Sequence, residues 1–237
     1  MEAGVVDYKL CDRDYDCEHC PFDNLFNSRN SKTSLTRIEG RDTSREVQAG
    51  LFYHPAHSWA RIEEGGRVRA GLDDFAQRIL GRPYLISMFE PGSTVRSGRG
   101  CAFITHQAGV AALVAPVSGT VKEVNPALYQ QPALLNRDPY GAGWVFLIEP
   151  ANLKGCLKQL LYGPKAAEWY EREFRRLYEK VTELVSYQPV LTMNDGGFLS
   201  RDFTKALTAN QISELINSFF PLAPSEQTEI NKAILDR

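Results

Sequence analysis

The sequence predicts a mainly β fold with α-helical additions, on the strength of three observations. Between residues 51 and 163, short apolar runs alternate with Gly and Pro, which is typical of short strands joined by tight turns. From residue 164 onward, apolar residues recur at helical spacing. Residues 28–50 are rich in Ser, Thr and charge without periodicity, which indicates a linker. The chain therefore divides into a cysteine-rich segment (1–27), the linker (28–50), a β domain (51–163) and a helical extension (164–237).

Composition and charge narrow the class of protein. The chain has 237 residues, of which 43% are hydrophobic and 24% charged, as in ordinary globular proteins. Its formal net charge of -2 gives no reason to expect a nucleic-acid partner. No apolar run approaches the roughly 18 residues needed to cross a bilayer, and the N-terminal stretch MEAGVVDYKLCDRD lacks the pattern of a secretory signal. We therefore expect a cytoplasmic protein with no membrane partner.

Three of the five cysteines, Cys11, Cys17 and Cys20, fall within ten residues of one another. In the reducing cytosol, clustered thiols more often bind metal or do redox chemistry than form disulfides. These three could supply ligands to zinc or to an iron–sulfur cluster. A redox-active thiol pair and three free thiols on an ordinary turn remain alternatives. Cys101 and Cys156 lie in apolar surroundings and are expected to be buried and unreactive.

The β domain contains four runs that are expected to form strands, namely YLISMF, CAFIT, ALVAPVSGTVKEV and WVFLI. One helix is predicted among them, over LDDFAQRIL (72–80). Asp73 or Asp74 can accept hydrogen bonds from the free amides of its first turn. Gly81 can adopt the left-handed conformation that ends such a helix.

The extension is predicted to be helical. Pro164 suits a first helical turn, and an apolar seam follows in steps of four and three at Tyr170, Phe174, Leu177, Val181 and Leu184. Because the seam spans only about two heptads, we expect the helix to pack on the β domain, with a dimer seam as the alternative. The charged residues between 171 and 180 are interpreted as its solvated face. A second helix is predicted from a capping box at Thr208, and a third over 225–236. The second helix has an apolar face made of Ile212, Leu215, Ile216, Phe219 and Phe220.

The β domain also carries four motifs in a fixed order. They are His57-Ser58-Trp59; Gly71-Leu72-Asp73-Asp74-Phe75-Ala76-Gln77 with Leu80-Gly81; Ala115-Pro116-Val117-Ser118-Gly119 with Val124-Asn125; and Leu134-Leu135-Asn136-Arg137-Asp138-Pro139-Tyr140-Gly141 with Gly143-Trp144. Together they resemble the H protein family of the glycine cleavage system, with Ser58 standing where that family usually has an acid. The resemblance covers about half of the chain.

This resemblance implies a lipoyl-like flattened barrel-sandwich of short strands with peripheral helices. It also implies a carrier protein and not an enzyme. In the family, a lysine at the tip of a β-hairpin is joined through an amide to lipoate, and the flexible arm carries an aminomethyl group between partner enzymes.

The family's stretch through this lysine runs without gaps into the motif that begins at Ala115. Counting back from Ala115 places Ala108 at the lysine position, within ITHQAGV. Alanine has no amine, so an amide to lipoate cannot form there, and we expect no lipoate on this chain. The nearest lysine, Lys122, lies beyond the Pro116–Gly119 turn and is expected to point elsewhere.

Two functional hypotheses follow. In the first, a non-lipoylated H-like domain serves as a docking, scaffold or regulatory module for protein partners, with glycine-cleavage or lipoyl-metabolism enzymes as candidates. In the second, the chain takes part in glycine cleavage or lipoyl metabolism as a metal- or thiol-dependent redox protein through Cys11, Cys17 and Cys20. No phosphate-binding loop, nucleophile elbow or acid–base set is visible, so catalytic residues are not predicted and the chain is not expected to be an enzyme.

Overall fold

The computed structural model describes residues 47–185 and 203–220 of the chain. Nine strands lie within these residues. They are β1 (Phe52–His54), β2 (Ser58–Ile62), β3 (Val68–Leu72), β4 (Leu85–Met88), β5 (Thr94–Val95), β6 (Gly100–His106), β7 (Gly109–Val114), β8 (Gly119–Val124) and β9 (Phe146–Pro150).

The strands form two antiparallel sheets. One has six strands in the order β1-β2-β3-β9-β8-β5, and the other has three in the order β4-β6-β7. Buried residues of both sheets, such as Val121 on β8 and Ile104 on β6, belong to one hydrophobic core. This arrangement confirms the predicted mainly β, flattened barrel-sandwich architecture.

The predicted runs account for β4, β6 and β9, whereas ALVAPVSGTVKEV becomes two strands in different sheets. The break falls at Ala115–Ser118, where Pro116 has no N–H to donate to a ladder. Strands β1, β2, β3 and β5 were not among the predicted runs. Cys101 and Cys156 are both buried, as expected.

Helix α1 (Asp74–Leu80) follows β3 directly and confirms the predicted helix. The carboxylate of Asp73 accepts a hydrogen bond from the Ala76 N–H at 2.8 Å and so caps its first turn. Gly81 ends the helix with φ 63° and ψ -147°. The φ is positive as expected, but the ψ is extended, so the prediction of a left-handed helical conformation is wrong in ψ. Three short helices follow, α2 (Ala127–Gln130), α3 (Leu134–Arg137) and α4 (Leu153–Leu157).

The extension contributes helix α5 (Pro164–Val185), a 3-10 helix (Phe203–Ala206) and helix α6 (Ala209–Phe219). Helix α5 packs on the β domain as predicted, because the Phe75 N–H donates to Tyr170 Oη at 2.9 Å and the Phe75 and Phe174 rings are 5.1 Å apart. Helix α6 has the predicted capping box between Thr208 and Gln211. Its apolar face is buried, with Phe219 5.3 Å from Phe75, centroid to centroid. The helix predicted over 225–236 lies outside the described residues.

None of the helices described in residues 47–185 and 203–220 is both long and apolar enough to cross a bilayer.

Candidate functional site

The tip of the β6–β7 hairpin is a two-residue turn. His106 pairs with Gly109 across the ladder, which leaves Gln107 and Ala108 as the turn residues. Gly109 has φ +134°, a backbone conformation that residues with a side chain rarely adopt. Gln107 is exposed, and Ala108 is partly buried against the core. The residue identified by counting back from Ala115 therefore lies at the tip of a β-hairpin.

His106, the last residue of β6, stabilises this turn. Its ring is only 3% exposed, and its Nδ1 accepts a hydrogen bond from the Ala108 N–H at 3.3 Å. Burial lowers the pKa of His106 to about 4, so the ring is neutral at pH 7. Its Nε2 is buried without a partner among the described residues. His106 therefore fixes the turn and is not presented to solvent as a carrier group.

The turn does not fit the group that the resemblance implies. Neither Gln107 nor Ala108 has an amine, so neither can form an amide with a carboxylic acid. Lys122 lies on β8, where its Nζ is 2.6 Å from Glu149 Oε2. The hairpin tip of this chain has no side chain that could hold a lipoyl arm.

Three of the four sequence motifs meet at Trp59, which is completely buried. Its Nε1 donates to the carbonyl of Leu72 at 3.1 Å and to that of Pro139 at 3.0 Å, so one indole joins three of the four motifs. A Cβ on Gly71 would lie 2.8 Å from the Trp59 ring, closer than real Cβ contacts come. Only glycine fits at position 71, because the indole lies directly against its backbone.

The two motif asparagines also bond to backbone. Asn125 Nδ2 donates to the carbonyls of Ala142 and Trp144 at 2.8 and 2.7 Å. Asn136 Nδ2 donates to the carbonyl of Gly81 at 2.8 Å. The motif residues thus connect distant segments of the fold, a structural and not a catalytic use of polar side chains.

A buried cluster of charged groups was not anticipated from the sequence. His57 Nδ1 lies 2.9 Å from Asp73 Oδ2, and its Nε2 lies 3.7 Å from Glu173 Oε2, beyond hydrogen-bond distance. The imidazole stacks on Phe75 at 4.1 Å and tilts against Trp169 at 4.9 Å. The interpretation of residues 171–180 as a solvated face is wrong for Glu173, which turns towards His57 and is 16% exposed.

Burial by itself lowers the pKa of His57, but the charge and hydrogen bond of Asp73 and the charge of Glu173 outweigh it, and the net direction is upward. The pKa of Glu173 is correspondingly lowered, since the nearby His57 and Arg176 outweigh its partial burial. The two carboxylates that face His57 therefore raise its pKa. The sequence signal for this cluster was weak: Asp73 could be recognised as a helix cap, but nothing local connects it to Glu173.

The candidate metal ligands Cys11, Cys17 and Cys20 lie outside the described residues, and their role stays a prediction. Within residues 47–185 and 203–220, no group of three or more His, Cys, Asp or Glu is arranged to hold a metal ion.

Comparison with known proteins places this chain in a family. The model of the glycine cleavage H-protein family matches residues 51–173. A glycine cleavage system H protein of Xanthomonas oryzae pv. oryzae (strain PXO99A) is 41% identical over 104 residues, which are 44% of this chain and 79% of the relative.

A probable glycine cleavage system H protein of Pyrococcus abyssi is 40% identical over 124 residues, 52% of this chain and 92% of the relative. The crystal structure of a glycine cleavage system H protein from Mycobacterium marinum has 32% identity and a TM-score of 0.47, and it covers 54% of this chain and 98% of its own. The family match spans more than half of the 237 residues. The chain belongs to the glycine cleavage H-protein family.

Proposed function

We propose that this chain is an H-protein-like protein that carries no lipoyl group and works as a docking, scaffold or regulatory module for protein partners, with enzymes of glycine cleavage or lipoyl metabolism as the candidates. The observation that carries the proposal is the hairpin turn Gln107–Ala108, which has no amine. The family is one of carrier proteins and not catalysts, so the chain is not an enzyme.

Lys122 is the lysine nearest to the tip in sequence, and Lys205 lines a cleft beside the tip. Lys122 is held at 2.6 Å by Glu149 on the β8–β9 ladder, away from any hairpin tip. Lys205 borders a cleft that also contains Gln107, but it lies in the 3-10 helix Phe203–Ala206 and not on a hairpin. Neither has the geometry of a lysine at the tip of a β-hairpin, which supports a chain without a lipoyl arm.

The surface beside the tip supports docking. The Tyr84 N–H donates to the carbonyl of Thr105 at 2.8 Å, and Leu85 pairs with Thr105 in the β4–β6 ladder. Tyr84 and Leu85 are 61% and 39% exposed. An exposed aromatic and an exposed aliphatic group side by side offer apolar area that a protein partner can cover.

The first experiment is the intact mass of the purified protein after incubation with a lipoate ligase, ATP and lipoate. We expect the wild-type mass to equal that of the bare sequence. The variant Ala108→Lys gains a lipoyl mass if the chain has lost only its attachment residue, and stays bare if the tip itself has been altered. Gln107→Lys, one residue earlier in the same turn, is the matched control. A lipoyl mass on the wild-type chain contradicts the proposal, and peptide mapping would then identify the residue.

The docking role is tested by binding. Purified glycine-cleavage and lipoyl-metabolism enzymes are titrated against the wild-type chain and against the double variant Tyr84→Ser/Leu85→Ser. We expect one of them to bind, and the double variant to bind about tenfold or more weakly. Tyr178→Ser, which alters an exposed tyrosine on α5 instead, should leave the affinity unchanged. Equal binding by all three proteins contradicts docking at the tip.

The alternative function is metal- or thiol-dependent redox chemistry at Cys11, Cys17 and Cys20. What supports it is the sequence spacing alone.

A further inference from the structure

A cleft of about 580 Å³ opens beside the hairpin tip. Its wall is formed by α1 and the residues that follow it, by α3 and the residues on either side of it, by Gln107 at the hairpin turn, and by the 3-10 helix Phe203–Ala206. Clefts of a few hundred Å³ are the size that small ligands occupy. The 3-10 helix lies outside the region matched to the H-protein family, so the extension completes a cavity that the matched region alone would leave open.

The cleft is strongly cationic. Among the described residues, four basic side chains line it, Arg78, Arg82, Arg137 and Lys205, together with the carboxylate of Asp74. Asp74 Oδ2 lies 3.0 Å from Arg78 Nε, so this carboxylate is paired within the wall. Arg82 and Arg137 are exposed. In a chain whose formal net charge is -2, this concentration of positive charge favours an anionic ligand.

Asn136 joins two parts of the wall. Its Nδ2 donates to Gln77 Oε1 at 3.0 Å and to the carbonyl of Gly81 at 2.8 Å, so α3 is tied to α1 and to the residue that ends it.

The side chains that line the wall limit the class of ligand that the cleft can bind. Among the described residues no aromatic ring lines the cleft, so a nucleobase would find no aromatic surface on which to stack. Ala133 and Pro139 are its main apolar side chains, too few to bury an aliphatic arm. Guanidinium groups suit a small molecule that carries carboxylate or phosphate groups.

We propose that this cleft binds a small, non-aromatic polyanion bearing carboxylate or phosphate groups, held by Arg82, Arg137 and Lys205. The site is independent of docking at the hairpin tip, so either proposal can fail without the other. Carboxylates and phosphates are both oxyanions, and titration with citrate and with pyrophosphate distinguishes between them.

The test is calorimetric titration of the full chain with citrate, which carries carboxylates and a hydroxyl, and with pyrophosphate. We expect saturable binding of one equivalent of at least one probe at near-physiological salt, where screening removes non-specific attraction. Arg137→Gln and Lys205→Gln should each weaken that binding about tenfold or more, since each removes a charge-assisted contact. Arg99→Gln, which removes an exposed arginine outside the cleft, should leave it unchanged.

The amide resonances of Gly81, Gln107 and Lys205 locate the site. Shifts concentrated at these residues on adding the bound probe are the expected result. No saturable binding of either probe up to millimolar concentration overturns the proposal. So does an equal loss of affinity in Arg99→Gln, or a set of shifted resonances that excludes the cleft.

Discussion

His57 Nδ1 lies 2.9 Å from Asp73 Oδ2, and the other oxygen of the same carboxylate accepts the Ala76 N–H at 2.8 Å. One buried carboxylate thus caps helix α1 and holds the residue that precedes strand β2. The Nε2 atom of the same imidazole lies 3.7 Å from Oε2 of Glu173, which is on helix α5. The β domain and the extension therefore share a charged contact as well as an apolar one.

This contact makes stability depend on pH. The pKa of His57 is raised in the folded chain, whereas the unfolded value is about 6.5. Its stabilising contribution is complete below about pH 6.5 and is lost as the pH rises through the folded-state pKa. Glu173 has a lowered pKa, so its contribution is lost only as the pH falls through the acid range. Between the folded-state pKa of Glu173 and that of His57, we expect Glu173→Gln to lower the free energy of unfolding by about 1 kcal/mol. At higher pH the loss should be smaller.

Urea unfolding from pH 5 to pH 9 measures this effect. The control is Glu171→Gln, which removes an exposed carboxylate two residues away on the same helix. The idea is wrong if the difference between wild type and Glu173→Gln is constant across the range, or if Glu171→Gln reproduces it.

A second prediction concerns the contact between Gly71 and Trp59. Because a Cβ at position 71 would lie 2.8 Å from indole atoms, Gly71→Ala should overpack this site and destabilise the fold by about 1–3 kcal/mol. Trp59→Phe removes those indole atoms, so the alanine should cost less in the Trp59→Phe background. A double-mutant cycle by thermal or urea unfolding measures the difference. Strict additivity would mean that the indole does not set the requirement for glycine.

The local features of the fold could be predicted from the sequence because their signals are local. The Asp73 cap, the capping box at Thr208 and the buried seam of α5 depend on residues three or four apart. Strands β2 and β3 were missed because Arg61 and Arg69 interrupt their short apolar runs, and their pairing is a tertiary event.

The residues of the candidate site also divide into those that the sequence could place and those that it could not. Ala108 could be placed by counting from a motif, and the structure puts it in the hairpin turn. Glu173 could not be placed, since a glutamate on a helix is solvated unless something distant faces it. His57, the group that faces it, belongs to a different segment of the chain. The cationic cleft likewise depends on Arg82, Arg137 and Lys205, which no spacing rule connects.

A third prediction concerns the docking of α6. Leu215 is fully buried on the face that meets α1, so Leu215→Ala should reduce the free energy of unfolding by about 2–5 kcal/mol. Asn217→Ala, an exposed position on the same helix, should change it little. Urea denaturation of both variants is the measurement. A Leu215→Ala cost no larger than that of the control would mean that α6 adds nothing to the stability of the fold.

A fourth prediction concerns the N-terminal cysteines. If Cys11, Cys17 and Cys20 hold zinc or an iron–sulfur cluster, the anaerobically purified chain should have a native mass above its denatured mass, and elemental analysis should identify the metal. The triple Cys→Ser variant should lose this excess, whereas Cys156→Ser, at a buried single thiol, should retain it. Identical native and denatured masses in the wild type would remove the metal hypothesis and leave thiol chemistry.

The position of Trp59 has a wider consequence. The hydrogen bonds from its indole to Leu72 and Pro139 show that the signature residues of this fold serve as internal joints. Selection can preserve such joints for the sake of folding alone, whatever happens to the turn between β6 and β7. A match to these motifs therefore identifies the fold, but it does not establish that a protein carries a lipoyl arm. That capacity depends on one side chain at the hairpin tip, which the motifs do not contain.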